Sequence, residues 1–293
     1  MPWNGVRRRF SAFHSNLALT PDQVDEGERH YAGVLKTLYR HYYPDIHENG
    51  YDLLAGSWGK DLRTRPPRDI DVYFCLPVEI YFRFELRTGN RQSQLLQEVK
   101  GIIAKTYPTT NIKGDGPVVV VGFNRMSVEV VPSFLLANGQ FRILISNDGG
   151  SYKNADPDAE LQQLSAADNF CSGNLRPMIQ MAKAWQSHCS VPLKSFYLEL
   201  LMTEFLVNYS YREYGYFWYD WFFRDFLHYL MSKTNGTVTV PGTGEVIEIG
   251  DAWRSKAITA AGLSLSACEY EYKDLEASAG LDWQRIFGSQ IPL

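Results

Sequence analysis

The alternation of hydrophobic and polar residues predicts a long helix near the start of the chain. Thr20 can cap this helix, Pro21 fits its first position, and Gln23 completes a capping box. Hydrophobic residues then recur at helical spacing as far as Pro44, which ends the pattern. We therefore expect one face of this helix to pack against the body of the protein.

Strand-like segments follow this helix, and one further helical pattern interrupts them. Residues 51–56 form a short element that leads into a glycine turn, and residues 69–77 are rich in β-branched and aromatic side chains. Residues 91–107 have a helical pattern. Residues 117–124 and 126–134 are two more strand-like segments, close enough along the chain to form a hairpin. This mixture predicts an α+β fold with a mixed sheet.

The second half of the chain has mostly helical patterns. Hydrophobic residues are spaced for a helix in residues 174–189, and further helices are expected in residues 195–211 and 216–233. Residues 237–249 have the pattern of a hairpin around a Pro-Gly turn. One last helix is expected over residues 251–277.

This change of pattern predicts two domains. We expect a catalytic core with the long N-terminal helix over residues 1–165, and a mostly helical C-terminal domain over residues 166–293. A chain of 293 residues is long enough for two domains. A bilobed protein with a central cleft is then expected, because small ligands usually bind between domains.

The composition is that of a globular protein with a substantial core, since 45% of residues are hydrophobic and 14% aromatic. The net charge is −4, from 29 basic and 33 acidic residues. A protein that wraps long nucleic acid usually carries a basic surplus that neutralises phosphates. The balance of charge therefore favours a small charged substrate over a long polymer.

From the cysteines and the N-terminal sequence we expect a soluble cytoplasmic protein. The four cysteines form no CxxC pair and no zinc-binding spacing, so we expect buried free thiols in a reducing compartment. They are Cys75, Cys171, Cys189 and Cys268. No segment has the length of a signal peptide's apolar region or of a membrane span.

Two aspartates interrupt the strand-like segment 69–77. Residues two apart in a strand point to the same side, so Asp69 and Asp71 project together while Ile70 and Val72 project into the core. Adjacent carboxylates repel each other, and a divalent cation relieves this repulsion. The alternative is a polar edge strand with two solvated aspartates.

Two other features give these aspartates a chemical context. Gly56 allows backbone N–H groups to approach a phosphate closely, and the hydroxyl of Ser57 can donate to the same oxygens. Glu129 alternates with two valines, and it joins the aspartates if its strand lies beside theirs. Three acids can hold two cations about 4 Å apart for in-line phosphoryl displacement. Taken alone, Glu129 could also be an ordinary exposed strand residue.

This Gly-Ser, loop, acid-x-acid and later-acid pattern resembles the polymerase-β-like nucleotidyltransferase superfamily. Within it, the chain looks most like the bacterial cGAS/DncV-like nucleotidyltransferases (CD-NTases), relatives of cyclic GMP-AMP synthase and the oligoadenylate synthases. Residues 175–201, "LRPMIQMAKAWQSHCSVPLKSFYLELL", resemble the helical-domain signature of that group, and residues 282–292 have its closing pattern. The resemblance covers nearly the whole chain. It implies a nucleotidyltransferase core followed by an oligoadenylate-synthase-like helical domain.

The resemblance assigns roles to the core residues. Gly56 and Ser57 would hold the triphosphate of the donor nucleotide. Asp69 and Asp71 would bind two Mg²⁺ ions, with Mn²⁺ as a substitute, and Glu129 would bind the ion beside the attacking hydroxyl. Glu129 departs from the aspartate that relatives commonly have. The zinc-binding insertion of the animal DNA sensor is absent from the sequence, so activation by DNA is not expected.

The resemblance also assigns roles in the helical domain. Lys183 and Ser195 would reach the β- and γ-phosphates, and Phe196 would stack on a nucleobase. From the residues alone, Lys183 could be a solvated helix lysine, Ser195 a helix N-cap and Phe196 a core aromatic. Lys60 could also touch phosphate, although basic loops of this type usually form soluble surface.

The function implied by the resemblance is synthesis of a cyclic di- or trinucleotide second messenger in bacterial anti-phage (CBASS) signalling. The substrates would be nucleoside triphosphates (ATP, GTP, UTP or CTP), and pyrophosphate would be released. One alternative is transfer of a nucleotide to RNA, protein or a small-molecule hydroxyl. Another is a catalytically inactive nucleotide-binding signalling protein. No membrane or long nucleic acid is expected as a partner, and a regulatory protein or an effector of the product could be one.

Overall fold

The computed structural model describes residues 4–44 and 50–293. The described residues form two compact units. The sheet unit comprises Leu19–Leu161, and the helical unit comprises residues 4–18 together with Gln162–Leu293. Within the described residues, no helix combines the length and the apolar character needed to cross a membrane.

The helices and strands are numbered in chain order. The α-helices of the described residues are α1 (Asn4–Leu17), α2 (Pro21–Tyr42), α3 (Gly56–Gly59), α4 (Val78–Glu85), α5 (Arg91–Thr106), α6 (Pro157–Phe170), α7 (Leu175–His188), α8 (Ser195–Val207), α9 (Tyr219–Ser232), α10 (Arg254–Tyr272) and α11 (Glu276–Phe287). The strands are β1 (Asp52–Leu54), β2 (Asp69–Cys75), β3 (Asn111–Asp115), β4 (Val118–Gly122), β5 (Ser127–Leu135), β6 (Phe141–Ile145), β7 (Ser151–Ala155), β8 (Thr237–Thr239) and β9 (Val246–Glu248).

The sheet unit is built on a seven-stranded mixed sheet. Its strand order is β1-β2-β5-β4-β3, and β6 pairs with both β5 and β7. Strands β2 and β5 run parallel, whereas the other paired strands are antiparallel. The predicted α+β fold with a mixed sheet is confirmed, and so is the β4–β5 hairpin.

Helix α2 begins and ends where the sequence predicts. The Thr20 side chain accepts a hydrogen bond from the Gln23 backbone, and the Gln23 side chain accepts one from the Thr20 backbone, so the capping box forms. The buried side chains of α2 pack with those of α5 and with one face of the sheet. The buried members from the two helices include Val34, Leu35, Leu38, Leu95, Leu96 and Val99.

Strand β2 alternates between the core and the opposite face of the sheet. Ile70 and Val72 are fully buried in the core. Asp69, Asp71 and Tyr73 lie on the other face and are only partly buried. The burial of the apolar residues thus determines where both carboxylates point.

The helical unit includes the first helix of the chain. Helix α7 buries the predicted hydrophobic face, as shown by the complete burial of Leu175 and Met178. Helix α1 packs here as well, because the ring of Phe10 meets that of Trp283 edge to face at 5.1 Å between centroids. Packing therefore groups α1 with the C-terminal helices in one compact unit. The limits of the functional domains, 1–165 and 166–293, stay a prediction.

The C-terminal segment differs from the sequence prediction. The helix expected over residues 251–277 forms as the shorter α10, but the expectation that it is the last helix is wrong, because α11 follows after a turn. Asp274 lies in this turn with φ at 56°, a conformation that interrupts a right-handed helix. Helices α1, α4 and α6 and strands β3, β6 and β7 were not predicted either.

All four cysteines are free thiols, as the sequence predicts. Cys75, Cys171 and Cys268 are buried, whereas Cys189 is partly exposed, so the expected burial is wrong for Cys189. Burial raises the pKa of Cys75 and of Cys171 to about 11, which keeps both thiols protonated at neutral pH.

Candidate active site

Three carboxylates converge on one face of the sheet. Strands β2 and β5 are parallel neighbours, and their register places Asp71 directly beside Glu129. Asp69 is two residues from Asp71 on the same face. Each of the three side chains offers an oxygen, and these oxygens lie within 4.8 Å of one another. The predicted convergence of Asp69, Asp71 and Glu129 is confirmed, and their chemical roles stay a prediction.

The side-chain pattern of β5 explains the orientation of Glu129. Val128 and Val130 are completely buried in the core on either side of it. Because side chains alternate along a strand, Glu129 points to the opposite face. Strand β5 lies between β2 and β4, so Glu129 is held by backbone pairing on both sides. The alternative interpretation of Glu129 as an ordinary exposed strand residue is therefore wrong, since it is only partly exposed.

The electrostatic environment of Glu129 favours its neutral form. Burial, followed by the negative charges of Asp71, Asp69 and Asp115, raises the pKa of Glu129 to about 7. The positive charge of Lys113 opposes this shift. A cluster of carboxylates that cannot easily carry all its charges together is one that a cation stabilises.

Gly56 begins the turn that lies against this cluster. Its φ is +54°, and a Cβ atom added there would overlap Oδ2 of Asp71. The backbone N–H of Ala55 donates to the carbonyl oxygen of Asp71 at 2.9 Å. The turn and the carboxylate therefore lie in direct contact, which only glycine permits at this position. Ser57 follows in the same turn and is partly exposed.

Trp58 anchors the turn in the core of the sheet unit. Its side chain is buried, and its ring occupies the space where a Cβ atom on Gly27 of α2 would lie. The guanidinium of Arg63 lies over the ring, 5.2 Å from its centroid. This anchoring explains why a turn of only four residues holds a defined position.

Lys60 is not part of a soluble surface loop. Its side chain is only 4% exposed, and its ammonium nitrogen lies 2.7 Å from Oε2 of Glu160 on α6. The sequence interpretation of Lys60 as a surface residue is therefore wrong. Glu160 was not singled out from the sequence, because no local pattern links two residues 100 positions apart.

Tyr73 is a further neighbour of the carboxylates that the sequence analysis did not single out. It lies on the same face of β2 as Asp71. Burial, then the negative charges of Glu160 and Asp71, raise its pKa well above the usual value. The two-residue period of the strand was the signal that could have identified it.

The three candidates in the C-terminal half lie in the helical unit. Lys183 is on α7 and is partly exposed, and Phe196 in the first turn of α8 is also partly exposed. Lys194 occupies the N-cap position of α8, so the interpretation of Ser195 as an N-cap is wrong. The Ser195 hydroxyl instead donates to Gln186 Oε1 at 2.7 Å. The roles of Lys183, Ser195 and Phe196 toward phosphate and base stay predictions.

The donor atoms of the carboxylate cluster suit Mg²⁺. The cation prefers carboxylate oxygens and substrate phosphates as ligands, and all three side chains supply such oxygens. Burial and then the neighbouring carboxylates raise the pKa of Glu129, and a bound cation would offset both effects. Asp69, Asp71 and Glu129 are therefore the residues that would hold a divalent metal.

A comparison with protein families decides the affiliation. Residues 5–168 match the Second Messenger Oligonucleotide or Dinucleotide Synthetase (SMODS) domain. This match covers more than half of the chain. The chain belongs to the SMODS family. The expected relationship to the CD-NTases, the bacterial cGAS-like enzymes, is thereby confirmed.

Solved structures share the fold of this SMODS protein over almost its whole length. CdnC of E. coli MS115-1, solved with ATP, is 18% identical, with a TM-score of 0.69 over 98% of this chain and 99% of that chain. A mutant of the Vibrio cholerae di-nucleotide cyclase DncV, solved with ATP and GTP, is 12% identical, with a TM-score of 0.77 over 100% and 98%. CdnG of Bradyrhizobium diazoefficiens, solved with GTP, is 11% identical, with a TM-score of 0.70 over 98% and 96%. No curated protein sequence matches the chain.

Proposed function

We propose that this SMODS protein joins nucleoside triphosphates into a cyclic di- or trinucleotide second messenger and releases pyrophosphate. The observation that carries the proposal is the cluster of Asp69, Asp71 and Glu129, whose carboxylate oxygens lie within 4.8 Å of one another beside the Gly56 turn. The family to which the chain belongs is described by the same type of product.

Two Mg²⁺ ions would be held by Asp69 and Asp71, with Glu129 as a ligand of one of them. When bound, they would neutralise the charge of the phosphates during in-line displacement. Mn²⁺ is a candidate substitute, because it also takes oxygen ligands.

The residues of the sheet unit bind and orient the reactants. The backbone of Gly56 and the hydroxyl of Ser57 would hold the donor triphosphate beside Asp71. Glu129 would orient the acceptor ribose hydroxyl toward the α-phosphorus. The hydroxyl oxygen then forms a bond to that phosphorus and loses its proton to solvent, and the bond between the phosphorus and the leaving pyrophosphate breaks. Orientation and electrostatics supply most of the acceleration in such transfers.

The residues of the helical unit complete the proposal. Lys183 and Ser195 would bind the leaving pyrophosphate, and Phe196 would stack on a nucleobase. These roles rest on the resemblance of residues 175–201 to the family's helical signature. The linear product would rebind with its own triphosphate as the donor, and the second transfer would close the ring.

The biological setting is also part of the proposal. CdnC has been solved with ATP, CdnG with GTP, and a DncV mutant with both nucleotides. DncV has also been solved with the linear intermediate pppA(3′,5′)pG. These neighbours support nucleoside triphosphates as substrates of this chain. CdnC has also been solved in a complex with a HORMA protein, which supports a regulatory protein partner. From the resemblance of the sequence to the CD-NTases, we propose that the protein acts in cytoplasmic anti-phage (CBASS) signalling.

Product analysis tests the reaction. The purified protein is incubated with labelled ATP, GTP, UTP and CTP and Mg²⁺, and the products are digested with phosphatase and identified by mass spectrometry. Phosphatase-resistant label in a cyclic product is expected. The double variant Asp69→Asn/Asp71→Asn should lose the product while retaining its circular dichroism spectrum. Label that remains sensitive to phosphatase in every nucleotide mixture, with Mg²⁺ and with Mn²⁺, would contradict the proposal. Label that appears on RNA or protein would favour transfer of a nucleotide to those acceptors instead.

A further inference from the structure

Lys60 and Glu160 form a buried ion pair beside the Gly56 turn. The Lys60 side chain is 4% exposed and the Glu160 side chain 16% exposed. A buried ammonium is costly unless a carboxylate or other acceptor compensates it, and removal of one partner leaves the other charge uncompensated. The Lys60–Glu160 pair therefore restrains both the Gly56 turn and α6.

The Lys60 end of the pair is tied directly to the glycine turn. The backbone N–H of Lys60 donates to the Gly56 carbonyl oxygen at 3.1 Å, and that of Leu62 donates to the Ser57 carbonyl oxygen at 2.8 Å. Because the turn spans four residues, few internal hydrogen bonds hold it. A shift of the Lys60 side chain would thus be transmitted to Gly56 and Ser57.

The Glu160 end belongs to the first turn of α6, within the sheet unit. Burial, and then the negative charges of Glu160 and Asp71, raise the pKa of Tyr73 on β2, so the charge of Glu160 acts close to the strand that carries Asp71. The ion pair and the buried Trp58 side chain restrain the turn through two different neighbours, α6 and α2.

We infer that Lys60 and Glu160 are positioning residues, which hold the Gly56-Ser57 turn in the place where it meets both Asp71 and a donor triphosphate. The inference rests on the proposed function, because it assigns the triphosphate to this turn. It differs from the expectation that Lys60 itself touches phosphate, since the ammonium is directed to Glu160. The pair acts on the substrate only through the turn.

Binding measurements with single and double variants test this role. Lys60→Met removes the charge at similar volume, and Glu160→Gln is isosteric. Affinities are measured by calorimetry, with Mg²⁺, for a non-hydrolysable nucleoside triphosphate analogue and for the corresponding nucleoside monophosphate. We expect each variant to lower the affinity for the triphosphate analogue about tenfold and the affinity for the monophosphate less than twofold. The reason is that the turn would contact the distal phosphates, which the monophosphate lacks. The double variant should bind the triphosphate analogue no more weakly than either single variant does, because both residues act as one pair.

A second ion pair of the same unit supplies the control. Glu98→Gln removes a charge from the Arg83–Glu98 pair, which joins α4 to α5, and should leave both affinities unchanged. Thermal unfolding of each variant separates loss of fold from loss of positioning. If Lys60→Met fails to fold, the affinity of the milder Glu160→Gln variant for the triphosphate analogue tests the inference by itself.

Two results would overturn the inference. If Glu160→Gln binds the triphosphate analogue like the wild type while Lys60→Met does not, Lys60 is a direct phosphate ligand. If both variants lower only the melting temperature, the pair has a structural role and no positioning role. Binding of the analogue does not depend on product formation, so failure of the synthase proposal would be seen separately, as absence of a cyclic product from the wild type.

Discussion

At the scale of single residues, Glu129 is partly buried beside two other carboxylates, and its protonation state therefore changes near neutral pH. Its pKa is raised from an ordinary 4.5 to about 7 by burial and by Asp71 and Asp69. Between these two values the folded protein without metal binds more protons than the unfolded chain. Its stability therefore falls as the pH rises through this range. A bound cation favours the ionised form, so metal binding and deprotonation are coupled.

Mg²⁺ affinity should depend on pH through Glu129. We expect the affinity to rise between pH 6 and pH 8, by up to roughly tenfold per pH unit below the pKa, and to level off above it. Calorimetric titration with Mg²⁺ at three pH values measures this. In the Glu129→Gln variant the affinity should be weaker and nearly independent of pH over this range. Equal affinities of the wild type at pH 6 and pH 8 would show that Glu129 is not a ligand.

Gly56→Ala should disrupt the site more than it disrupts the fold. The new Cβ would overlap Oδ2 of Asp71, and the positive φ is strained for alanine, which costs about 1–2 kcal/mol of stability. Since the overlap also displaces a carboxylate, cyclic product formation should fall by roughly a hundredfold or more. Initial rates and thermal unfolding measure the two effects.

Gly101→Ala is the matched control for this substitution. Gly101 lies in α5 with open space around the position of an added Cβ. Because alanine is the better helix former, stability should rise by about 0.5–1 kcal/mol with unchanged activity. Full activity of Gly56→Ala would show that the turn does not need its close approach to Asp71.

Helix α9 has a buried carboxyl group at its beginning, and this group decides how the stability of the element responds to pH. Asp220 is 1% exposed, and its Oδ2 atom has no hydrogen-bond partner among the described residues. Burial raises its pKa to about 7 from 3.8. The folded state therefore holds a proton that the unfolded chain releases between these values, and α9 loses stability as the pH rises from about 4 to about 7.

Asp220→Asn should stabilise the protein in a pH-dependent manner. The amide cannot ionise, so the gain over the wild type should grow as the pH rises and reach about 1–2 kcal/mol at pH 8. Thermal melts at pH 5 and pH 8 measure the difference. Asp251→Asn, at an exposed position, should show no such trend. A gain of equal size at both pH values would mean that ionisation of Asp220 is not the cause.

At the scale of the whole molecule, residues from both ends of the chain build the helical unit. The ring of Phe10 on α1 contacts those of Trp283 and Phe287 on α11. The guanidinium of Arg9 is buried with Glu271, and it donates to the carbonyl oxygen of Glu276 at 2.7 Å. The helical unit therefore depends on residues that precede the sheet unit in the chain.

Phe10→Ala should destabilise the helical unit selectively. Removal of this completely buried ring should cost about 3–5 kcal/mol, because it leaves a cavity against Trp283. Amide hydrogen exchange measured by mass spectrometry should then increase in α1 and α11, and less in β2 and β5. Phe82→Ala, which truncates a 61% exposed ring on α4, should have little effect on exchange or melting. An equal increase of amide hydrogen exchange in both units would contradict a separately stabilised helical unit.

The sequence by itself determined the local features of the site. The capping box sets the start of α2 because both of its hydrogen bonds form within four residues. The alternation in β2 decides that Asp69 and Asp71 share a face, because Ile70 and Val72 must be buried. Periodicity over a few residues is enough for such features, since it states which side of an element meets the core.

Only the tertiary structure decided which distant residues meet. The parallel pairing of β2 with β5 brings Glu129 to the aspartates, and the ion pair with Glu160 buries Lys60. The placement of α1 beside α11 and the turn at Asp274 were not indicated by any sequence pattern. These features depend on contacts between residues far apart in the chain. Such contacts form because they bury apolar surface and compensate buried charges. A pattern of a few neighbouring residues does not indicate which distant residues will do so.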